Sequence, residues 1–331
     1  MTSACILGCA GATLSPDEVA FFRDAQPWGF ILFSRNVEDP AQVTRLTQAL
    51  RDSVGREAPI LVDQEGGRVQ RLGPRHWRQF APPLDDVTAA RDPARAMWIR
   101  GRLIADELRA VGIDVDCAPT ADIARDETHP FLRNRCLGLD ADAVTRNARA
   151  MADGLMAGGV LPVMKHLPGH GRAVADSHKR LPVVKASKAA LEEDFAPFRA
   201  LSDLPMAMTA HIVFAALSDR PATQDPQMIA LIRDLIGFQG LLMSDDISMQ
   251  ALSGDISERT RASIRAGCDL VLHCNGIRDE MVDCLGACGT LDGTALRRAD
   301  KALAARRAPE PVDIPALEAE LSALLGGKVH G

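Results

Sequence analysis

Three segments of the chain combine ionisable side chains with the small residues that form tight turns. The first segment, Leu61-Val-Asp-Gln-Glu-Gly-Gly-Arg-Val-Gln-Arg71, places Asp63 at the end of a short apolar run. A glycine pair then turns the chain, and Arg68 and Arg71 follow at a spacing that can put them on one side of the loop. A carboxylate and a guanidinium that converge on one pocket can hold a hydroxyl-rich ligand. An ion pair that only stabilises the loop is the alternative.

The second segment is Val163-Met-Lys-His-Leu-Pro-Gly-His-Gly-Arg-Ala-Val-Ala-Asp-Ser-His178, which begins with Lys165 and His166 near a predicted strand end. Asp176 and His178 are two residues apart, so in an extended segment both side chains project to the same side. The carboxylate can then fix the tautomer of the imidazole and favour its protonated form. Such a pair can act as a general acid near neutral pH. A solvated loop with incidental polar residues is the alternative.

The third segment, Gly240-Leu-Leu-Met-Ser-Asp-Asp-Ile-Ser-Met249, is an apolar run that ends in two acids. Neighbouring side chains of a strand project in opposite directions, so only one of the two carboxylates can face a pocket. We predict that Asp245 faces the pocket and that Asp246 caps the segment that follows.

A metal centre is an alternative interpretation of the histidines. The four that could form a zinc site with nearby carboxylates are His166, His170, His178 and His211. His166 and His170 have the i, i+4 spacing of helical zinc sites, but Pro168 and Gly169 lie between them and disfavour a helix. The favoured interpretation therefore involves no metal, and a metal-dependent hydrolase stays open as the alternative.

Eight short apolar runs must position these side chains. They are Ala4–Gly8, Gly29–Phe33, Ile60–Asp63, Ile113–Cys117, Val160–His166, Met206–His211, Gly240–Asp245 and Asp269–His273. Between most of them lie amphipathic stretches of helical period, such as Pro40–Val54, Arg91–Val111, Ala141–Gly158, Lys185–Leu201 and Asp225–Ile236. Strands that alternate with helices predict parallel β/α units, and eight units predict an α/β fold of the (β/α)8 TIM barrel type. A doubly wound sheet is the alternative.

Several of the predicted strands finish on an ionisable residue. These are Asp63, His166, His211, Asp245 and His273. A charge at the end of an apolar run is costly unless that end opens onto a polar site, and the C-terminal strand ends of a barrel form its active-site face. From about residue 291 to residue 331 the pattern is helical. We expect this tail to pack on the barrel, so that residues 1–331 form a single catalytic domain.

Composition narrows the function classes. The formal net charge is −6, and no run of Lys and Arg suggests nucleic acid or a membrane surface as a partner. No stretch approaches the ~20 apolar residues of a membrane-spanning helix. The eight cysteines form no C-x-x-C pair, and we expect them to be reduced, as in the cytoplasm. Ile6-Leu7-Gly8-Cys9 resembles a lipoprotein cleavage box, but no basic residue precedes it and its apolar run is too short. The oligomeric state stays open, and a monomer is compatible with the sequence.

Taken together, the segments resemble the single-domain N-acetyl-β-glucosaminidases of glycoside hydrolase family 3, the β-N-acetylhexosaminidases of peptidoglycan recycling. The resemblance covers roughly residues 28 to 275. The matching segments are Gly29–Asn36, Val62–Arg71, Lys165–Gly171, Asp176–His178, Met208–His211 and Ser244–Met249. The lysine motif departs from the family at Leu167, where a phenylalanine is usual.

This resemblance implies roles for individual residues. The nucleophile falls on Asp245, and the proton donor falls on His178 with Asp176 as its partner. A family arginine falls on Arg135, although Arg133 is the other candidate because this segment departs from the usual pattern. The substrate-binding positions that follow are Asp63, Arg71, Arg135, Lys165, His166 and His211.

The resemblance also implies a mechanism and a substrate. The mechanism is a retaining double displacement through a covalent glycosyl-enzyme, with no cofactor. Because the histidine is neutral after it donates its proton, phosphate could replace water, so a phosphorylase variant stays open. The implied substrate is N-acetylglucosaminyl-1,6-anhydro-N-acetylmuramic acid, with or without its stem peptide, and the implied location is the cytoplasm.

Overall fold

The centre of the protein is a closed barrel of eight parallel strands, seen in a computed structural model that describes residues 1–177 and 179–327. The strands are β1 (Ser3–Gly8), β2 (Pro27–Leu32), β3 (Ile60–Val62), β4 (Val115–Asp116), β5 (Leu161–Leu167), β6 (Met206–Thr209), β7 (Leu241–Asp246) and β8 (Leu270–His273). Each strand pairs with its neighbour in sequence, and β8 closes the barrel against β1, with Leu7 opposite His273. Every strand end lies within two residues of its predicted position. The predicted TIM barrel is confirmed, and the doubly wound alternative is wrong.

Twelve helices surround the barrel in the described part of the chain. They are α1 (Pro16–Ala25), α2 (Pro40–Val54), α3 (Pro83–Ala89), α4 (Pro93–Ala110), α5 (Pro130–Arg133), α6 (Ala141–Ala157), α7 (Lys188–Ala200), α8 (Pro226–Ala230), α9 (Ile256–Ala266), α10 (Arg278–Cys288), α11 (Gly293–Ala304) and α12 (Ile314–Leu324). The helix predicted over residues 225–236 consists of two parts. The α-helix α8 covers Pro226–Ala230, and a π-helical turn at Leu231–Leu235 follows it directly.

Helix α2 has the predicted bounds because the sequence marks both of its ends. The side chain of Asp39 accepts the backbone N–H of Gln42 at 2.8 Å, and Pro40 occupies the first helical position. Gly55 ends the helix in the left-handed region at φ 65°, where glycine is favoured.

Buried Arg100 in α4 fixes the loop that follows β3. Its guanidinium pairs with Asp86 and donates to the carbonyl oxygens of Glu65 and Ala81. Gly66 adopts φ 103°, and a Cβ atom there would lie 1.8 Å from Nη2 of Arg100. Only glycine fits this close approach, and the Arg100 hydrogen bonds hold the backbone at Glu65 and Ala81.

The two C-terminal helices pack on the outside of the barrel. Leu317 and Leu321 of α12 are buried, and Glu320 forms a two-point ion pair with Arg95 of α4 at 2.7 and 2.8 Å. No helix in residues 1–177 or 179–327 is long and apolar enough to cross a bilayer.

Candidate active site

A cavity opens at the C-terminal ends of the strands, the end at which TIM barrels carry their active sites. Six of the predicted site residues line it: Asp63, Arg71, Arg135, Lys165, His166 and Asp245. Ser177 also lines the cavity, and half-buried Asp176 precedes it in the loop. The predicted acid His178 lies outside the described residues.

Lys165 is the centre of the charged wall of this cavity. Its side chain is 2% exposed, and its Nζ lies 2.9 Å from Oδ1 of Asp63 and 2.5 Å from Oε1 of Glu65. Burial alone would lower the pKa of Lys165, but the two carboxylates outweigh burial and raise it above its ordinary value. Lys165 is therefore a permanent cation at neutral pH.

The two carboxylates beside Lys165 stay ionised. Burial would raise the pKa of Asp63, but the charges of Lys165 and Arg71 hold it well below its usual range. The Arg71 guanidinium donates to Asp63 at 3.1 Å. Burial would likewise raise the pKa of Glu65, whereas Arg135 and Lys165 lower it to about 2. Asp63 lines the cavity, and an ionised carboxylate is a pure acceptor, so Asp63 is suited to receive hydrogen bonds from ligand hydroxyls.

A chain of hydrogen bonds continues from Glu65 to the loop after β5. The Arg135 guanidinium donates a hydrogen bond of 2.8 Å to each carboxylate oxygen of Glu65, and its Nη2 lies 3.4 Å from Nε2 of His166. Nδ1 of His166 lies 2.7 Å from Asp122, whose other oxygen accepts the backbone N–H of His170 at 2.6 Å. The orientation of the His166 ring is thus fixed from both sides, and Arg135 rather than Arg133 occupies the cavity wall.

His170, which its spacing indicated only as a metal ligand, lines the cavity. It is 6% exposed, and neither ring nitrogen has a hydrogen-bond partner among the described residues. Burial, followed by the nearby His166, lowers the pKa of His170 to about 4. A neutral imidazole with an unused donor and an unused acceptor therefore lies beside the charged wall.

Both acids at the end of β7 line the cavity, and they differ in their hydrogen bonds. Asp245 lines the cavity, and its Oδ1 accepts the backbone N–H of Asp246 at 2.8 Å. The Asp246 carboxylate accepts both the N–H and the hydroxyl of Ser248, at 3.0 and 2.6 Å, and the N–H of Cys274 at 3.2 Å. Asp246 thereby ties the loops after β7 and β8 together and supports the backbone that carries Asp245.

His211 lies behind the cavity wall rather than in it. Its side chain is fully buried, and burial lowers its pKa. The neutral ring donates from Nε2 to the carbonyl of Asp246 at 2.9 Å, while Nδ1 accepts from the hydroxyl of Thr223 at 2.9 Å. These contacts favour a role in holding β7 over direct contact with a ligand.

Arg68 takes a position different from the one that its spacing indicated. It sits at the tip of a hairpin formed by Gln64–Gly66 and Val69–Gln70, and its guanidinium stacks 3.7 Å above the ring centre of Phe131. Arg68 also donates to the Phe131 carbonyl at 2.6 Å. The hairpin turns Arg68 away from Asp63, so Arg71 alone of the two arginines pairs with that carboxylate.

The histidines do not converge on a metal centre within the part of the chain that the structure describes. No group of three or more His, Cys, Asp or Glu side chains there has a metal-binding arrangement. The rings of His166 and His170 are 5.7 Å apart, while His211 is held by Thr223 and Asp246.

Asp116 lies beneath the charged wall and makes stability depend on pH. Burial raises its pKa to about 7, its Oδ1 accepts the N–H of Gln64 at 2.9 Å, and its Oδ2 has no hydrogen-bond partner among the described residues. The folded protein binds this proton more tightly than the unfolded chain, whose Asp has a pKa of about 3.9. This residue's contribution to stability therefore falls as the pH rises from about 4 to about 7.

We expect Asp116→Asn to abolish that fall, because asparagine keeps the acceptor and removes the charge. The variant should be more stable than wild type at pH 8, by at most about 4 kcal/mol, and close to wild type at pH 4.5. Urea unfolding at the two pH values measures the difference, with Asp300→Asn on the exposed face of α11 as the matched control. Parallel pH profiles for wild type and Asp116→Asn would show that Asp116 stays ionised.

The sequence profile of the glycosyl hydrolase family 3 N-terminal domain matches residues 11–293. The chain belongs to glycosyl hydrolase family 3. A β-hexosaminidase of Bordetella parapertussis is 37% identical over 287 residues, which cover 83% of this family 3 chain and 81% of the relative. A β-hexosaminidase of Alkalilimnicola ehrlichii is 38% identical over 281 residues, covering 82% and 80%.

Solved structures of family 3 proteins agree with the fold. Native NagZ from Neisseria gonorrhoeae superimposes with a TM-score of 0.85 at 30% identity, covering 100% of this chain and 98% of that one. The same protein in complex with N-trifluoroacetyl-D-glucosamine gives a TM-score of 0.85 and covers 98% and 96%. The family 3 chain is therefore a glycoside hydrolase, and the family resemblance seen in its sequence is confirmed.

Proposed function

We propose that this family 3 enzyme is a retaining β-N-acetylglucosaminidase that removes terminal non-reducing N-acetylglucosamine. The observation that carries the proposal is the position of Asp245, which lines the same cavity as the charged wall around Lys165. A glycosidase needs a carboxylate at the reacting carbon and polar groups that hold the sugar, and this cavity supplies both. The β-hexosaminidase relatives and the NagZ complex with N-trifluoroacetyl-D-glucosamine support the choice of sugar.

The proposed chemistry has two steps. An oxygen of Asp245 attacks the anomeric carbon while His178, supported by Asp176, donates a proton to the leaving oxygen. The glycosidic bond breaks and a covalent glycosyl-enzyme forms. Water then gives a proton to the neutral His178 and attacks the same carbon, which releases the sugar and regenerates the Asp245 carboxylate.

The charged wall supplies the proposed sugar contacts. Asp63 accepts hydrogen bonds from sugar hydroxyls, while Arg71, Arg135 and Lys165 donate to hydroxyl oxygens. His166, whose ring is fixed by Asp122, belongs to the same set. We add His170, which lines the cavity and whose ring nitrogens have no hydrogen-bond partner among the described residues. A buried polar group without a partner is costly, so bound substrate satisfies it at a gain in affinity.

The proposed physiological substrate is the N-acetylglucosaminyl-1,6-anhydro-N-acetylmuramic acid saccharide or its peptide-bearing form, in cell-wall recycling. The proposed compartment is the cytoplasm, because all eight cysteines are buried free thiols, as expected in a reducing environment. We further propose that residues 1–331 form one catalytic domain.

Hydrolysis of an aryl N-acetyl-β-glucosaminide tests the proposed activity. We expect release of the aryl group from the N-acetyl sugar and little or none from the matching β-glucoside. Analysis of the first-formed sugar by NMR should show the β anomer, because a double displacement retains configuration. A folded enzyme that is inert on both substrates, or that forms the α anomer first, would overturn the proposal.

Metal removal separates the glycosidase from the metal-dependent alternative. We expect dialysis against a chelator to leave the aryl hydrolysis rate unchanged, since neither proposed step uses a metal. Loss of activity that zinc restores would favour a metal-dependent hydrolase.

A further inference from the structure

A second cavity lies at the opposite end of the barrel, where Asp114 precedes β4. It has a volume of about 410 Å³. The ionisable side chains that line this arginine cavity are Arg51, Glu57, Arg109, Asp114, Arg306 and Arg307. Four cations face two carboxylates, which leaves a local charge of +2 in a chain whose formal net charge is −6. The sign of the field here is therefore opposite to that of the protein as a whole.

The two carboxylates are already engaged. Oδ1 of Asp114 accepts the backbone N–H of Ile60 at 2.8 Å. Its Oδ2 lies 2.8 Å from Nη2 of Arg306 and 3.4 Å from Nη2 of Arg51. The side chain of Glu57 is 83% exposed and lies 3.4 Å from Nε of Arg51. Arg51 and Arg306 thus form ion pairs with both carboxylates of the cavity. The pair between Arg306 and Asp114 also attaches the C-terminal tail to the barrel.

This attachment does not account for the other donors. Arg109 and Arg307 are exposed, and their guanidinium groups make no hydrogen bond or ion pair within the described part of the chain. Nε of Arg306 is buried and has no hydrogen-bond partner among the same residues. Burial, with added repulsion from Arg51 and other arginines, lowers the pKa of Arg306. Several guanidinium groups around one cavity, with N–H donors that have no partner among the described residues, are suited to bind an anion.

We propose that the arginine cavity binds a phosphate group, either free or as the ester of a small metabolite. The planar guanidinium matches phosphate oxygens in a two-point geometry, and a dianion balances the local charge of +2. Arg109 and Arg307 supply the direct contacts, and Arg306 adds its Nε–H, which has no hydrogen-bond partner among the described residues. A volume of about 410 Å³ leaves room for an organic group beside the phosphate. The site is separate from the sugar cavity, which lies at the other end of the strands.

Titration calorimetry with inorganic phosphate at constant ionic strength tests the proposal, with chloride as the reference anion. We expect saturable binding by wild type and a higher Tm in phosphate. Arg109→Gln combined with Arg307→Gln should weaken binding at least about tenfold, because both changes lie on the surface and remove two charge-assisted contacts. Arg261→Gln, an exposed arginine of α9, is the matched control and should bind as wild type does.

Two further experiments, titration with glucose 6-phosphate and competition with N-acetylglucosamine, show whether the ligand is a phosphate ester or free phosphate and whether it binds outside the sugar cavity. Glucose 6-phosphate binding more tightly than inorganic phosphate would indicate an ester, and equal affinity would indicate the free ion. N-acetylglucosamine should not displace either of them. Displacement by this sugar, undiminished binding by the double variant, or the absence of saturable binding by wild type would each overturn the proposal. None of these outcomes depends on glycosidase activity.

Discussion

Asp245→Ala is expected to lower kcat for an aryl N-acetyl-β-glucosaminide by on the order of 10⁴-fold or more, because it removes the proposed nucleophile. Asp245 lies at the end of β7, and hydrogen bonds of Asp246 to Ser248 and Cys274 hold this strand end without the Asp245 carboxylate. The substitution should therefore leave the fold intact. Circular dichroism and Tm measure the fold, and steady-state kinetics measures the loss.

Azide rescue makes this test specific for a nucleophile. In the space vacated by Asp245, a small anion can attack the anomeric carbon from the same face, which yields a glycosyl azide of inverted, α configuration. Asp234→Ala, an exposed acid of the π-helical turn, is the matched control and should keep wild-type kinetics without forming azide product. Substantial activity in folded Asp245→Ala, or a β-configured azide product, would assign the nucleophile to another residue.

The barrel and the segments of the active site were predictable from the sequence for an identifiable reason. Apolar runs that end on Asp63, His166 and Asp245 carry two signals at once, an apolar stretch that favours burial and a charge that needs a polar site. Helix bounds were also accurate where capping residues mark them, as Asp39 and Gly55 do for α2. Local patterns of this kind survive folding because they act within a few residues of the chain.

The contacts inside the site were not predictable, because they join residues distant in the chain. Asp122, in an irregular segment, fixes both His166 and the backbone of His170 from more than forty positions away. Glu65 lay inside a recognised segment, but its pairing with Arg135 depends on the turn that Arg100 imposes at Gly66. The strand predicted to end at His211 ends at Thr209, and the His211 ring points to the Asp246 backbone. Spacing locates a residue on an element, and packing decides which way its side chain turns.

Lys165→Met is the second substitution with a large expected effect, since it removes the cation shared by Asp63 and Glu65. Truncating one partner of a buried ion pair leaves the other charge uncompensated, at a cost of about 3–5 kcal/mol. We expect a loss of this size in the free energy of unfolding at pH 7, together with a large fall in kcat/KM. Lys188→Met, at an exposed position of α7, is the matched control.

The pH dependence of that loss distinguishes charge from packing. In wild type, Glu65 has a pKa lowered to about 2, so its contribution to stability is complete above the unfolded value of about 4.3 and is lost only as the pH falls toward 2. Without Lys165 the pKa values of Asp63 and Glu65 rise, so these carboxylates become protonated at a higher pH in the variant than in wild type. Protonation removes their uncompensated charge and so reduces the loss of stability. The deficit measured by urea unfolding should therefore be largest at pH 7 and smaller at pH 4.5. An equal deficit at both pH values would mean that Lys165 stabilises the barrel through packing of its aliphatic stem rather than through its charge.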